Sequence, residues 1–514
     1  MRSAHRILRA AGLTAALAAF SVATLGAQTA SPPAASSGAA ATTAASPAAS
    51  SQGAAASQGA AGSSSDDSLF GAETVTQSAT DATASAPQKD FLKYDVTKVG
   101  GRIDGSLGWT ATWADPWAKT IDPSSPIVNT LSPSLSGAVK ITAKPSTDFG
   151  VNMEFRTNNP FTAATTSSSQ TAQSGLASLG GSYALTTNIP NITVWSLYSK
   201  FTWNDTLNFS FGKQPLAWGV SKSFFQPADD IFALSAVDYT NTGADRQGPI
   251  AFKAQYGIPL TMTNFYFYAG VPDKTNPVLG DMRYAAKAET SIGNSEVAVG
   301  GYYSWNDHPR ALLMGTTGFG NLNFFGEAIG KWGSERYFLS PATPAYPGLP
   351  AATAAQKADQ LWFSGTLGAY YIDSDNNITV TASYYYNGEG QAGVSSETYF
   401  TYISLYPSQF DRMHFGTHYA AASFSKAKLL VDELTFSVYG IGDLSDQSFL
   451  VAPSLTWAFF DYLNVALGST LTFGPDGSEY PTLMSTTFAT RSNNLMGKPS
   501  ASVSLTATLG SGAF

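Results

Sequence analysis

From Gly101 to its C-terminus the chain repeats one pattern. Large apolar residues alternate with polar or small ones over short stretches, and tight turns join these stretches in pairs. Arg102 to Trp113 places Ile103, Leu107, Trp109 and Trp113 on one face. Phe149, Val151, Met153 and Phe155 alternate with Asn152, Glu154 and Arg156; Leu434, Phe436 and Val438, then Leu463, Val465, Leu467 and Leu471, repeat the design. A period of two is the signature of a strand with unlike faces. The turns carry chain-reversing residues: Pro145 to Asp148, Asn204-Asp205, Ile258-Pro259, Gly293-Asn294, Gly318 to Gly320, Asp373 to Asn376 and Phe460-Asp461. Longer segments separate most pairs. The pattern predicts about 18 strands, with 16–18 as the range, short turns at one end and longer loops at the other.

Few environments accept such strands. Only 12% of the residues are charged, 13% are aromatic, and mean hydropathy is −0.05. Beyond the N-terminus no stretch approaches the ~20 apolar residues of a spanning helix. One apolar and one polar face on each strand suits a sheet closed between lipid and water. The expectation is an all-β, transmembrane antiparallel β-barrel over residues 100–514. Tyrosine clusters near strand ends (302–303, 370–371 and 384–386) are expected to form interfacial girdles. A soluble β-sandwich or β-helix is the rival and needs no girdles. The net charge of −8 and pI near 5.0 speak against nucleic acid as a partner, because binding its phosphate backbone needs a basic surface. With no cysteine there is no disulfide, zinc-thiolate site or lipidated cysteine.

Residues 1–27 read as a signal peptide: Arg2, Arg6 and Arg9 precede the apolar run Ala11–Leu25 and the small residues Gly26-Ala27. An N-terminal membrane anchor is the alternative. Residues 28–99 read as a disordered periplasmic linker, almost pure Ala, Ser, Gly, Thr and Pro to about residue 65. Asp66-Asp67-Ser68-Leu69-Phe70-Gly71 resembles short segments that precede the barrel in some spirochaetal outer-membrane proteins. Glu73 to Thr76 resembles the energy-coupling box of TonB-dependent transporters, which implies a large plug domain, yet strand patterning already begins near Gly100.

The exception to the short-turn rhythm follows Leu207 to Lys213. At Gln214-Pro215 the strand breaks, and residues 214–246 form a long insertion rich in aromatics and acids. Long loops inside compact proteins tend to be functional. Gly212-Lys213-Gln214, Trp218-Gly219 and Phe224-Phe225-Gln226-Pro227-Ala228-Asp229-Asp230 resemble a segment recurring in outer-membrane channel families. The position, after a fifth strand, is similar to that of the constriction loop of general porins. The resemblance implies a passive outer-membrane channel for small polar solutes, without catalysis or a cofactor. It implies loop acids (Asp229, Asp230, Asp238) facing basic wall residues (Lys140, Arg156, Lys200, Lys253). Ion pairing for barrel stability explains the wall charges equally well. Two other functions stay open. One is a closed barrel acting as a surface adhesin or structural anchor. The other is a substrate-specific sugar-type channel, with Trp218, Phe224 and Phe225 as an aromatic strip.

No catalytic or metal motif competes. His414 and His418, four apart on a strand, would stand about 13 Å apart. Asp373-x-Asp375-x-Asn377 imitates a calcium loop but fits a tight turn better. Phe514 resembles the terminal signal that barrel-assembly machinery reads, although Val503, Leu505, Ala507 and Leu509 are out of parity with it. A bulge at Gly510 or Gly512 would restore register. Partners are therefore expected to be outer-membrane lipid, the assembly machinery, small polar solutes and, in an oligomer, further copies of the chain.

Overall fold

The computed structural model describes residues 97–117, 127–168, 184–216, 218–221, 224–228, 248–271, 276–334, 336–341, 352–356, 359–391, 415–460, 462–483 and 499–510. The proposed signal peptide, the linker up to residue 96 and the segments resembling spirochaetal and energy-coupling sequences lie outside them, as does Phe514. The last three residues expected in the linker, 97–99, instead begin the first strand, where they pair with Ala143 to Ile141.

The first strands are long: β1 (Thr97–Ala114), β2 (Val128–Ala143), β3 (Phe149–Ser168) and β4 (Ala184–Trp203). Shorter ones follow: β5 (Leu207–Lys213), β6 (Ile250–Gly257), β7 (Thr263–Val271), β8 (Arg283–Ile292), β9 (Ser295–Ser304), β10 (Arg310–Phe319) and β11 (Leu322–Trp332). A small hairpin, β12 (Tyr337–Pro341) and β13 (Ala352–Gln356), precedes β14 (Leu361–Asp373), β15 (Ile378–Asn387), β16 (His418–Lys426) and β17 (Leu434–Asp443). The chain ends through β18 (Ser448–Phe460), β19 (Leu463–Phe473), a helical turn α1 (Glu479–Leu483) and β20 (Ser500–Gly510).

Leaving aside the β12–β13 hairpin, each strand pairs antiparallel with the next, and β20 pairs back onto β1. The result is a closed barrel of 18 strands, the number expected. Closure gives every strand a neighbour on both sides, so the sheet has no edge strand, although the ends of the long strands β1 to β4 are paired on one side only. No described helix is long and apolar enough to cross a membrane. The pleat sorts the side chains by parity. Outward positions expose large apolar groups: Leu107, Leu131, Leu313, Phe363 and Leu367 are each at least half exposed. An apolar band of this extent around a closed wall is the solution for a barrel standing in lipid. Exposed aromatics gather at both ends of the band. Trp203, Phe319, Phe460 and Tyr462 flank the short turns, while Tyr303, Trp305 and Trp332 flank the long-loop end.

The tyrosine clusters divide between the faces rather than all serving a girdle. Tyr384 and Tyr386 point outward, but Tyr385 is buried inside. Tyr303 is exposed while Tyr302 is buried. A period of two sends neighbours to opposite sides, so a run of tyrosines cannot sit in one belt.

Local geometry explains the turns. Asn376 donates its backbone N–H to Asp373 Oδ1 at 3.0 Å, and Asn377 adopts φ 52°. That is a tight turn, as expected, and no calcium-type loop. Gly510 takes φ +111°, but the β20 ladder to β1 runs through Asp104↔Gly510 without a register shift, and the expected return of Phe514 to register lies outside the described residues. In β4 the register to β3 slips by one: Glu154 faces Ser196, but Phe155 faces Val194. Trp195 is the extra residue.

Candidate functional site

The insertion after β5 begins at a pinned neck. Ser210 Oγ donates to Gln214 Oε1 at 2.6 Å, Gln214 Nε2 donates to Ala251 O at 2.9 Å, and Gln214 N–H donates to Pro249 O at 3.2 Å. From this neck the chain turns inward. Trp218 lies over Gly300, its ring 4.9 Å from Tyr268, packed with Tyr266, Ala285, Ala298, Leu312 and Met314. All are inward positions on β7 to β10. Seven residues on, Phe225 stacks on Tyr385 at 5.0 Å and meets Tyr419 at 5.8 Å, while Phe224 reaches Tyr439 at 5.4 Å. These belong to β15, β16 and β17.

Between the two contacts stands Glu327 of β11. Its Oε1 accepts the Ser221 N–H at 2.6 Å and its Oε2 accepts the Ala228 N–H at 3.1 Å. One carboxylate thus holds both ends of the bend, and the bend is closed by Ser221 Oγ donating to Phe225 O at 2.8 Å. Glu327, Ser221 and Ala228 are all buried. Charge-assisted bonds of this kind are about twice as strong as neutral ones.

Other long-end segments fold onto the same wall. Phe338 of the β12–β13 hairpin stacks on inward Trp362 at 4.7 Å, and Gln391 holds the hairpin through Leu339 N–H at 3.0 Å and Tyr337 O at 2.9 Å. Nearby, burial raises the pKa of Glu389, but the charges of Arg336 and Lys331 outweigh it and hold the group below its ordinary value. Lys331 Nζ lies 2.7 Å from it.

Helical turn α1 docks through acids. Glu479 N–H donates to Asp446 Oδ2 at 2.7 Å, and Tyr419 O–H donates to Glu479 Oε2 at 2.7 Å. Burial, then the neighbouring Asp443 carboxyl, pushes the Glu479 pKa well above its ordinary range. Asp446, Tyr419 and Tyr480 complete its titratable surroundings. The folded state therefore binds this proton more tightly than the unfolded chain does. Docking of α1 is strongest at low pH and weakens as pH rises above 4.5 toward the raised folded value. Hydrogen exchange at the Thr482 amide, which bonds Ser478 O, is expected to accelerate with pH beyond its intrinsic base catalysis. Glu479→Gln should abolish that excess; an excess unchanged in the variant would assign it elsewhere.

The sequence-derived residues separate into three groups. Trp218, Phe224 and Phe225 are inside the barrel but 2%, 8% and 0% exposed, so their rings hold the loop and present no aromatic strip to a solute. Asp229, Asp230 and Asp238 lie outside the described residues. Lys140, Arg156, Lys200 and Lys253 share the inward parity of their strands. Lys140 faces Glu154 across the β2–β3 ladder. Lys200 and Lys253 both flank Ser210 in one row across β4, β5 and β6. Lys253 lies 5.5 Å from the Tyr266 ring. Wall charges pair around the barrel: Arg102 with Asp104 at 3.2 Å, Arg156 with Glu154 at 2.5 Å, Lys287 with Glu289 at 2.9 Å and Arg283 with Asp307 at 3.6 Å. On β8 the stability explanation of the ladder holds.

His418 Nδ1 bonds Tyr384 O–H at 2.6 Å on the outer face, and His414 lies outside the described residues. Among the described residues no group of three or more His, Asp or Glu side chains is arranged to hold a metal ion.

No protein-family model matches the chain, and no curated protein does. Solved structures do match. Pseudomonas aeruginosa OccK11 (OpdR) is 9% identical, covering 80% of this chain and 95% of its own, at a TM-score of 0.41. Acinetobacter baumannii OccAB3 is 10% identical, covering 81% and 99%, at 0.41. Salmonella typhi OmpF, solved in complex with daunomycin, is 9% identical, covering 82% and 99%, at 0.38. The barrel assignment rests on the closed strand order itself.

Proposed function

We propose that this chain is an outer-membrane channel for passive diffusion of small polar solutes, narrowed by the insertion at 214–246. The observation that carries the reading is the inward placement of residues 218–221 and 224–228, held across the inner wall by Glu327. An adhesin has no use for a loop folded away from its surface. A structural anchor needs no bend fixed by a buried carboxylate in the lumen. The short-turn end is the periplasmic end, because residues 1–96 precede β1 there and read as an exported leader and linker. Asp229 and Asp230 follow the anchored Ala228 directly, which favours placing them in the lumen opposite Lys140, Arg156 and Lys200.

Purified protein reconstituted in a planar bilayer should give discrete conductance steps, and flat traces in several salts would sink the reading. Asp229→Asn combined with Asp230→Asn should move the reversal potential toward anions in a salt gradient. An unmoved potential would remove the acids from the constriction while leaving the channel itself standing.

A further inference from the structure

The insertion is seated at two places by two different chemistries. Its first arm, at Trp218, rests on β7 to β10, next to the Glu327 carboxylate that takes the Ser221 N–H. Its second arm, Phe224-Phe225, joins a buried cluster with Tyr385, Tyr419, Leu450 and Tyr480. Tyr480 belongs to α1, so α1 is part of the second arm's seat.

Tyr419 is the pivot of that seat and is 0% exposed. Its ring meets Phe225 at 5.8 Å and Tyr385 at 6.0 Å. Its hydroxyl accepts the Gly416 N–H at 2.6 Å and donates to Glu479 Oε2 at 2.7 Å. Its ladder partner on β17 is Asp443, equally buried, whose carboxylate packs so closely on Gly416 that a Cβ there would stand 2.1 Å from Oδ2. Asp443 Oδ1 accepts the Ser445 N–H at 2.7 Å, while Oδ2 meets no N–H or hydroxyl donor. From α1, the group that bonds Asp443 is the Glu479 carboxyl. Two carboxylates cannot bond each other, so this contact exists only while one proton is shared between them.

The other ionisable groups facing the pair are Asp446 on the β17–β18 turn, Tyr419 on β16 and Tyr480 on α1 itself. The strands β18 and β19, also packed on α1, carry no ionisable side chain, and neither do residues 218–221 and 224–228. Loss of the shared proton sets two carboxylates against each other beside a third, that of Asp446, and like charges away from water repel strongly.

We propose that α1 is a proton-operated clasp on the insertion: the proton shared by Glu479 and Asp443 keeps α1 docked, and Tyr419 passes that state to Phe225. With the proton in place the second arm is seated. Without it α1 leaves, Tyr419 loses its acceptor, and Phe224-Phe225 is released while Trp218 and Glu327 still hold the first arm. Tyr419 is a positioning residue in this scheme. The consequence for the pore rests on the channel reading, whereas the clasp itself does not.

The reconstituted full-length protein would be followed from about pH 4.5 to about pH 9, the span over which a raised carboxyl titrates. Three readouts serve: conductance, protease cutting within 214–246 normalised to an unstructured peptide, and hydrogen exchange at the Thr482 amide beyond its intrinsic base catalysis. In the wild type all three should rise together, cutting by at least about threefold. Glu479→Gln has no proton to lose, donates to Asp443 and still accepts from Tyr419, so all three should stay at their acid level. Asp443→Asn donates to an ionised Glu479 and should flatten them likewise. Tyr419→Phe keeps the ring on Phe225 but cuts the hydroxyl link. Its Thr482 exchange should still titrate, with the step in cutting reduced at least about twofold. Wild-type cutting that stays flat while Thr482 exchange rises would overturn the proposal, as would a rise in cutting that persists in both Glu479→Gln and Asp443→Asn. A wild-type protein without conductance at any pH would overturn the channel reading instead, and cutting would still decide the clasp.

Discussion

Glu327→Ala is expected to release the inserted loop while leaving the barrel intact. The substitution removes the acceptor for two buried N–H groups, those of Ser221 and Ala228. Each donor left without a partner in such a site costs about 1–3 kcal/mol. The loss in docking stability is thus about 2–6 kcal/mol. The wall does not depend on the carboxylate: β11 keeps its full ladders to β10 and β14. The folded barrel should therefore still migrate as a heat-modifiable species. Protease should cut within 214–246 at least about tenfold faster than in the wild type, since 1.4 kcal/mol already corresponds to tenfold. Conductance steps should be larger and noisier. Glu327→Gln keeps one carbonyl oxygen and should fall between the two. A Glu327→Ala protein as protease-resistant and as conductive as the wild type would show that Trp218 and Phe225 alone place the loop.

The barrel was readable because its determinants are local. Leu107, Phe155 and Leu467 declare their face through their neighbours two residues away, and Asn204-Asp205 or Gly293-Asn294 declare a turn on their own. The placement of the insertion after β5 followed from counting those turns. Its direction did not, because the bonds that set it join residues 106 and 99 positions apart. Glu327 was legible only as one more inward charge; nothing in its own stretch indicates that it holds backbone amides. Tyr385 has the same character, since its partner Phe225 lies far away in the chain. The β12–β13 hairpin was missed for a different reason. Ala352-Thr353-Ala354-Ala355-Gln356 shows no alternation of large apolar residues, and its partner strand is held by Gln391 and by Phe338 on Trp362. The bulge at Trp195, in contrast, leaves a signal. Outward residues Ile192 and Val194 are even-numbered, but Leu197, Phe201 and Trp203 are odd. A parity slip inside one strand marks an extra residue, and it falls beside an inward arginine.

Gly248→Ala is expected to be the most damaging small change in the loop's framework. Gly248 closes the insertion against the neck where it began. A methyl group there would stand 1.5 Å from Gln214 O and 2.2 Å from Gln214 C. Both are backbone atoms, so no rotamer relieves the clash and the two chain segments must separate. Separation strains the bonds that Gln214 makes to Ser210, Pro249 and Ala251, in a site where Gln214 is 4% exposed. Three hydrogen bonds at about 1 kcal/mol each, with added backbone strain, give a loss of about 3–5 kcal/mol. Gly320 supplies the comparison. It needs its glycine for φ +59°, yet a Cβ there meets nothing within 4 Å. Gly320→Ala should cost only about 1–2 kcal/mol, the left-handed penalty alone. Urea titration of heat-modifiability in detergent would rank the two. Gly248→Ala should unfold at clearly lower denaturant and lose protection of the 214–246 segment before the wall melts, whereas Gly320→Ala should keep that segment protected throughout. If the two variants melt together with the loop still protected, the neck is slack and the loop is placed from its far contacts at Glu327 and Phe225.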